Sequence, residues 1–241
     1  MIHCVTTMSK EYYDRIGQVM IKTWQEFFPK EGYVLHLYLE DFSLDTNDDR
    51  IVIESWSDIQ GFFESWKEKN TDVHPRLERF TKKALAQIAA WRKIKTGKLL
   101  WLDADIVFLK ELPDGFFEKT LGNYPLASWG SVQFESGTVF IDIDHEDFID
   151  IKNIYEQIYI TDQKVPEGER WFDGELLGWA CVQAGSKHRD LWCFCDAKTS
   201  TPLNRSFLGE YMQHFKANRK NNLKVELDQY YDRSDIANLL D

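Results

Sequence analysis

Two aspartates stand out in "KLLWLDADIVFLKELP", Lys98 to Pro113. Asp103 and Asp105 interrupt an apolar run that resumes at once. Carboxylates so close to a core are costly unless something pairs with them. A metal ion, a set of backbone donors or a plain turn at a strand end would each serve. A hard divalent cation such as Mn²⁺ or Mg²⁺ takes oxygen ligands and bridges phosphates. Two carboxylates at a strand end, with cations nearby, can therefore hold an ion together with a diphosphate. Arg79, Lys82 and Lys83 precede the pair, close together on a helical surface. Far downstream, "YMQHFKANRK" sets His214 before Lys216, Arg219 and Lys220. These residues are either a third metal ligand with phosphate-binding lysines or a solvated basic turn.

The elements that must position these groups follow from periodicity. Ile2–Thr6 reads as a buried strand, with Ser9 as the cap of the next helix. Tyr13, Ile16, Met20, Trp24 and Phe27 recur at helical spacing. Pro29 and Gly32 end that helix, and Tyr33–Glu40 is a second strand. Strand, helix, strand is the pattern of a right-handed parallel unit. A third strand is expected over Ile51–Trp56, and a long helix from His74 to about Lys95. Leu77, Phe80, Ala84, Ile88, Trp91 and Ile94 form its apolar face. Thr96-Gly97 closes it, and Lys98–Leu102 is the next strand. Asp103 and Asp105 then stand at the carboxyl end of a strand in an α/β sheet, where such sheets place ligands.

Beyond Pro113, strands are expected over Pro125–Trp129 and Gly137–Ile143, and helices over Glu146–Tyr159 and Phe172–Gly185. Ser186–Arg205 reads as irregular, and Ser206–Lys220 as a short strand followed by the basic cluster. The chain of 241 residues shows no linker, repeat or low-complexity run. One α/β domain over 1–241 is expected, with a nucleotide-binding half (1–112) and an acceptor-side half with the C-terminal segment (113–241).

The bulk properties narrow the partners. The net charge of −11 gives no general attraction to nucleic acid or an anionic membrane. The four cysteines, Cys4, Cys181, Cys193 and Cys195, lack a second pair at zinc-finger spacing and read as free thiols. The N-terminal residues carry no signal-peptide pattern, and no run reaches membrane-spanning length. A cytoplasmic location is the expectation. Nothing in the sequence speaks to oligomeric state.

Taken together, these motifs resemble the nucleotide-sugar glycosyltransferases of the GT-A fold, and within it the family 8 (glycogenin and galactosyltransferase-like) pattern. "LLWLDADIVFLKEL" resembles that family's D-x-D strand and the apolar segment after it. "ESGTVFIDI" resembles its N-S-G-V strand, with Glu135 in place of Asn. "HFKANRK" resembles its H-x-x-G-x-x-K motif, with Ala217 where glycine is usual. The resemblance implies a Rossmann-like GT-A domain with a mostly parallel central sheet flanked by helices, and an irregular C-terminal half. It implies a metal-dependent hexose transfer from a UDP-sugar to a carbohydrate hydroxyl, with retention. By the same resemblance Asp103, Asp105 and His214 would hold Mn²⁺ or Mg²⁺, and Asp103 would also meet the ribose. Thr6 and Thr7 would touch the nucleotide, Arg79 or Lys83 the donor sugar or phosphate, and Lys216 and Lys220 the diphosphate. Asp173, with Glu175 second, would stand near the donor sugar and acceptor. Trp129, Trp171 and Phe172 are candidate sugar platforms, with the core as the plain alternative.

Two other readings use the same residues. "LDADIV" also satisfies the first motif of haloacid-dehalogenase-like phosphatases, with Asp103 as nucleophile and Asp105 as acid/base. That motif usually sits on the first strand, and the later acidic motif of that family is missing here. A non-catalytic nucleotide-sugar-binding protein on the same fold is the other reading.

Overall fold

The structure is a computed structural model that describes residues 1–130, 134–167, 169–195 and 201–215. The first strand, β1 (Ile2–Met8), runs two residues past its expected end. Helix α1 (Lys10–Tyr12) follows, capped by the Ser9 side chain, which accepts from the Tyr12 backbone N–H. A π-helical turn over Tyr13–Gly17 joins it to α2 (Gln18–Phe27). Ile16, Met20 and Trp24 are buried, as their spacing predicts. Strand β2 (Tyr33–Leu39) and the short β3 (Ile51–Glu54) come next.

Helix α3 (Ser57–Lys69) was not anticipated, although Ile59, Phe63 and Trp66 bury one face at steps of four and three. The long helix is α4 (Glu78–Lys93), entered through a single 3-10 turn at Pro75–Leu77. Strands β4 (Lys98–Leu102) and β5 (Ile106–Phe108) flank the aspartates. Then come α5 (Phe116–Leu121), β6 (Leu126–Trp129), β7 (Glu135–Asp142), α6 (Phe148–Glu156) and α7 (Asp173–Gln183). A second π-helical turn over Gln157–Asp162 follows α6, and the short strands β8 (Arg189–Asp190) and β9 (Met212–His214) complete the described strands. The expected irregular stretch from Ser186 to Arg205 thus holds only β8 and single 3-10 turns among its described residues.

Seven strands form one sheet in the order β3-β2-β1-β4-β7-β6-β8. The pairs β3-β2, β2-β1, β1-β4 and β6-β8 are parallel, while β7 is antiparallel to both neighbours. The sheet therefore takes strands from both sides of residue 112. Strand β4 sits at its centre and explains its own sequence. Leu99 and Trp101 pack on one face with residues of α4, α6 and α7. Leu100 and Leu102 pack on the other with residues of α2 and α5. A strand covered on both faces has to be apolar throughout.

This order reverses beside β1. The next element after β1 goes to one side (β2) and β4 lies on the other. Open α/β sheets leave a crevice at such a point, beyond the carboxyl ends of the strands. Removing a fully buried β4 side chain tests how far the fold depends on this strand. Leu100→Ala is expected to cost about 2–5 kcal/mol, read as a lower urea midpoint at an unchanged slope.

Candidate active site

Asp103 and Asp105 lie in the turn between β4 and β5, at the crevice. The turn is closed by the Ile106 N–H donating to the Asp103 carbonyl at 3.0 Å. It is tied to the sheet by the Asp103 N–H, which donates to the Gly137 carbonyl at 2.8 Å. Strand β5 then pairs antiparallel with β9, and Ile106 stands opposite His214. This two-stranded ribbon answers how residues more than one hundred positions apart can meet. The Phe215 N–H donates to the Asp105 carbonyl at 2.9 Å and locks the register. Asn204 clamps His214 from behind, accepting from its N–H at 2.7 Å and donating to its carbonyl at 3.1 Å.

The His214 Nε2 lies 2.9 Å from Asp105 Oδ1 and 3.8 Å from Asp103 Oδ2. One ligand atom from each of the three residues lies within 4.8 Å of the others. Two ligands on opposite sides of a divalent cation are separated by about twice a bond of 2.0–2.6 Å, so the spacing suits one ion. The donor set, two carboxylates and an imidazole, is able to hold a divalent cation. Gly137 makes the approach of His214 possible. A Cβ there would stand 2.5 Å from the imidazole Cε1. That is the physical meaning of the glycine in "ESGTV".

Beside this trio lies a buried charge cluster. Lys83 Nζ is 2.6 Å from Asp103 Oδ1 and 3.1 Å from Asp173 Oδ2. It also donates to the Ser136 carbonyl at 2.7 Å and to the Ser136 hydroxyl at 3.2 Å. Burial alone would lower the Lys83 pKa, but the Asp103 and Asp173 carboxylates outweigh it and hold the ammonium above its ordinary value. Burial raises the Asp173 pKa, and Lys83 opposes that rise without cancelling it. Asp173 opens α7, and its carbonyl accepts from the buried Tyr155 hydroxyl at 3.4 Å. Asp103 also accepts from the Trp101 indole at 3.4 Å.

A cavity of about 1110 Å³ covers these groups. Of the residues expected from the sequence, it brings together Thr7, Arg79, Lys83, Asp103, Asp105, Asp173, Glu175 and His214. Glu175 stands at the lip in an ion pair with the Arg170 guanidinium. Arg79 is exposed at the rim and lies over the Phe80 ring at 4.7 Å. Thr6 does not line the cavity. Strand alternation turns it away from the face of Thr7, and it is fully buried. Lys216 and Lys220 lie outside the described residues. Of the three aromatic candidates, Phe172 lines the cavity. Trp129 and Trp171 are core residues, 1% and 5% exposed, with Trp171 edge-on to Trp66. Sequence reasoning missed Tyr12, Ser136 and Asn204. Serine, asparagine and tyrosine carry no periodic or charge signal, and each acts here through a contact with a distant residue.

No protein-family model matches the chain, and no curated protein matches it. Solved structures do. An active-site mutant of LgtC superposes with a TM-score of 0.53 at 13% identity, over 89% of this chain and 87% of that one. Apo mouse xyloside xylosyltransferase 1 gives a TM-score of 0.50 at 10% identity, over 81% and 87%. The chain has the GT-A fold. The fold weighs against the phosphatase reading, since that family's D-x-D usually sits on the first strand and here it follows β4.

The buried cluster makes a sharp stability prediction. Lys83→Met leaves Asp173, which is 2% exposed, without its cation. Breaking a buried pair in this way costs about 3–5 kcal/mol. The folded pKa of Asp173 lies above its unfolded value, so stability falls as pH rises between the two. Without Lys83 that pKa rises further and the fall steepens. The variant should therefore be much weaker than the wild type in urea at pH 7 and recover part of the difference near pH 4.

Proposed function

We propose that the chain is a metal-dependent glycosyltransferase that moves a hexose from a UDP-sugar to a carbohydrate hydroxyl, with retention, on the family 8-like pattern. One observation carries the reading. Asp103, Asp105 and His214 converge at the ligand crevice of a GT-A fold, with their ligand atoms within 4.8 Å of one another. A Mn²⁺ or Mg²⁺ ion held there would neutralise charge on a diphosphate leaving group. Within the proposal, residues 1–112 supply most of the donor side, and residues 113–241 the acceptor side. Ser136, Asp173 and His214 complete the donor site from the second half.

The chain's own groups have distinct tasks. Lys83 fixes the Asp103 carboxylate and pairs with Asp173 inside the wall. A positive charge held in a dry site stabilises developing negative charge far better than one in water. Asp173 and Glu175 face the cavity from the first turn of α7, where the donor sugar and acceptor would lie. Both are engaged by cations, Asp173 by Lys83 and Glu175 by Arg170. Thr7 donates its hydroxyl to the Tyr38 carbonyl at 2.9 Å at the nucleotide end of the cavity. Lys216 and Lys220 keep the diphosphate role that the sequence suggests. No helix among the described residues is long and apolar enough to cross a membrane.

The test is a thermal-shift panel of UDP-, GDP- and CMP-sugars with and without Mn²⁺, followed by product analysis. UDP-sugars should raise the melting temperature only with the metal, as mass action requires for a ligand of the native state. Asp105→Asn should abolish the metal-dependent shift and lower turnover by at least 100-fold, at an oxyanion-site scale of about 2.7–4 kcal/mol. Proton NMR of the product should show the donor's anomeric configuration kept. Stabilisation without turnover on any glycan acceptor would favour the non-catalytic binding protein. A response to GDP- or CMP-sugars alone would overturn the donor assignment.

A further inference from the structure

The Tyr12 hydroxyl reaches across the crevice and donates to Asp105 Oδ2 at 3.0 Å. The other oxygen of the same carboxylate, Oδ1, faces His214 Nε2 at 2.9 Å. The two oxygens of Asp105 thus have different neighbours, one a phenol and one the imidazole of the metal trio. We propose that Tyr12 is a positioning residue that holds Asp105 to a one-oxygen mode of metal ligation and so sets which cation the site prefers. This rests on the metal reading above and goes beyond it.

The local backbone explains how a tyrosine on the first helix comes to this place. Ser9 caps the helix, which fixes where its first turn begins. Directly after Tyr12 the helix widens into the π-helical turn Tyr13–Gly17, whose last bond runs from the Gln18 N–H to the Tyr13 carbonyl. Such single wide turns are rare and recur at functional sites. Gly17 lets the turn lie against the end of β1, since a Cβ there would stand 2.7 Å from Met8 Sδ. Cap, wide turn and glycine together lower Tyr12 onto the D-x-D turn. Asp105 itself is 4% exposed.

The chemical consequence concerns ion size. A small octahedral ion such as Mg²⁺ takes single carboxylate oxygens at short distances. Ca²⁺ is larger, accepts six to eight oxygens and gains from carboxylates that bind through both. A hydroxyl that occupies Oδ2 leaves Asp105 one oxygen for the ion, which serves the smaller ion and penalises the larger. Partners of this kind behind a metal ligand typically change metal affinity by about 10- to 100-fold.

The experiment is a Mn²⁺ titration of the full chain without donor, followed by electron paramagnetic resonance, with Ca²⁺ as competitor. Tyr12→Phe should raise the Kd for Mn²⁺ by about 10-fold or more and change that for Ca²⁺ far less, so the preference for Mn²⁺ shrinks. A purely structural defect would weaken both ions together. Tyr13→Phe, whose ring packs on Phe42 instead, should behave as wild type. Gly17→Ala, whose Cβ would meet Met8 Sδ at 2.7 Å, should shift the preference in the same direction and keeps the test available should Tyr12→Phe not fold. Equal losses for both ions, or unchanged Kd values, in Tyr12→Phe and Gly17→Ala would overturn the role of Tyr12 alone. Failure of the wild type to bind Mn²⁺ at all would instead remove the metal site, and this proposal with it.

Discussion

The architecture of the site follows from the cost of keeping carboxylates out of water. Asp105 and Asp173 are 4% and 2% exposed, and an ionised group in such a place is tolerated only when it is paired and hydrogen-bonded. Lys83 answers for Asp173 and Asp103 at once. His214 and Tyr12 answer for Asp105. Ser136 takes the remaining directions of the lysine. Each partner comes from a different element, namely α4, β9, α1 and β7. The charges can be satisfied only when those elements are all in place, so the site and the fold support one another.

The sheet supplies the rigid frame for this arrangement. Strand β4 is buried on both faces and delivers the aspartates at a fixed height above the crevice. The β5–β9 ribbon brings a residue from near the end of the described chain back against the D-x-D turn. Two close approaches depend on missing side chains, Gly137 under the His214 ring and Gly17 against Met8. A methyl group at Gly137 would press directly on the metal-facing His214 ring, and such sites hold their groups to within about 0.5 Å. The cluster thus ties its chemistry to packing details well outside the charged residues themselves.

Much of the frame was legible beforehand. Strands β1, β2 and β4 and the long helix α4 declare themselves because buried strands need unbroken apolar runs and a packed helix repeats at three and four. The D-x-D pair was legible as well, since two charges inside such a run need a reason. Helix α3 was equally periodic in Ile59, Phe63 and Trp66, but its charged outer face and its nearness to β3 let it pass for loop. The facing of Thr6 was not legible, because a strand-end pair such as Thr6-Thr7 is ambiguous until the facing of one residue is known. Once Thr7 faces the cavity, alternation puts Thr6 on the other side.

The sequence by itself determined the α/β alternation, the strand that carries Asp103 and Asp105, and the residue types able to bind a hard cation. Those follow from local periodicity and from the price of burying charge, both of which act over a few residues. Only the tertiary structure decided that Lys83, rather than Arg79, is the buried cation. The two lie one helical turn apart on the same face and both line the cavity, and only where α4 rests along the sheet puts Lys83 beside Asp103 and leaves Arg79 at the rim. The same holds for His214, whose neighbours Tyr12, Asn204 and Gly137 give no sign in their own segments of where they will meet. Their roles arise from contacts between distant strands and helices, and such contacts have no period to read along the chain.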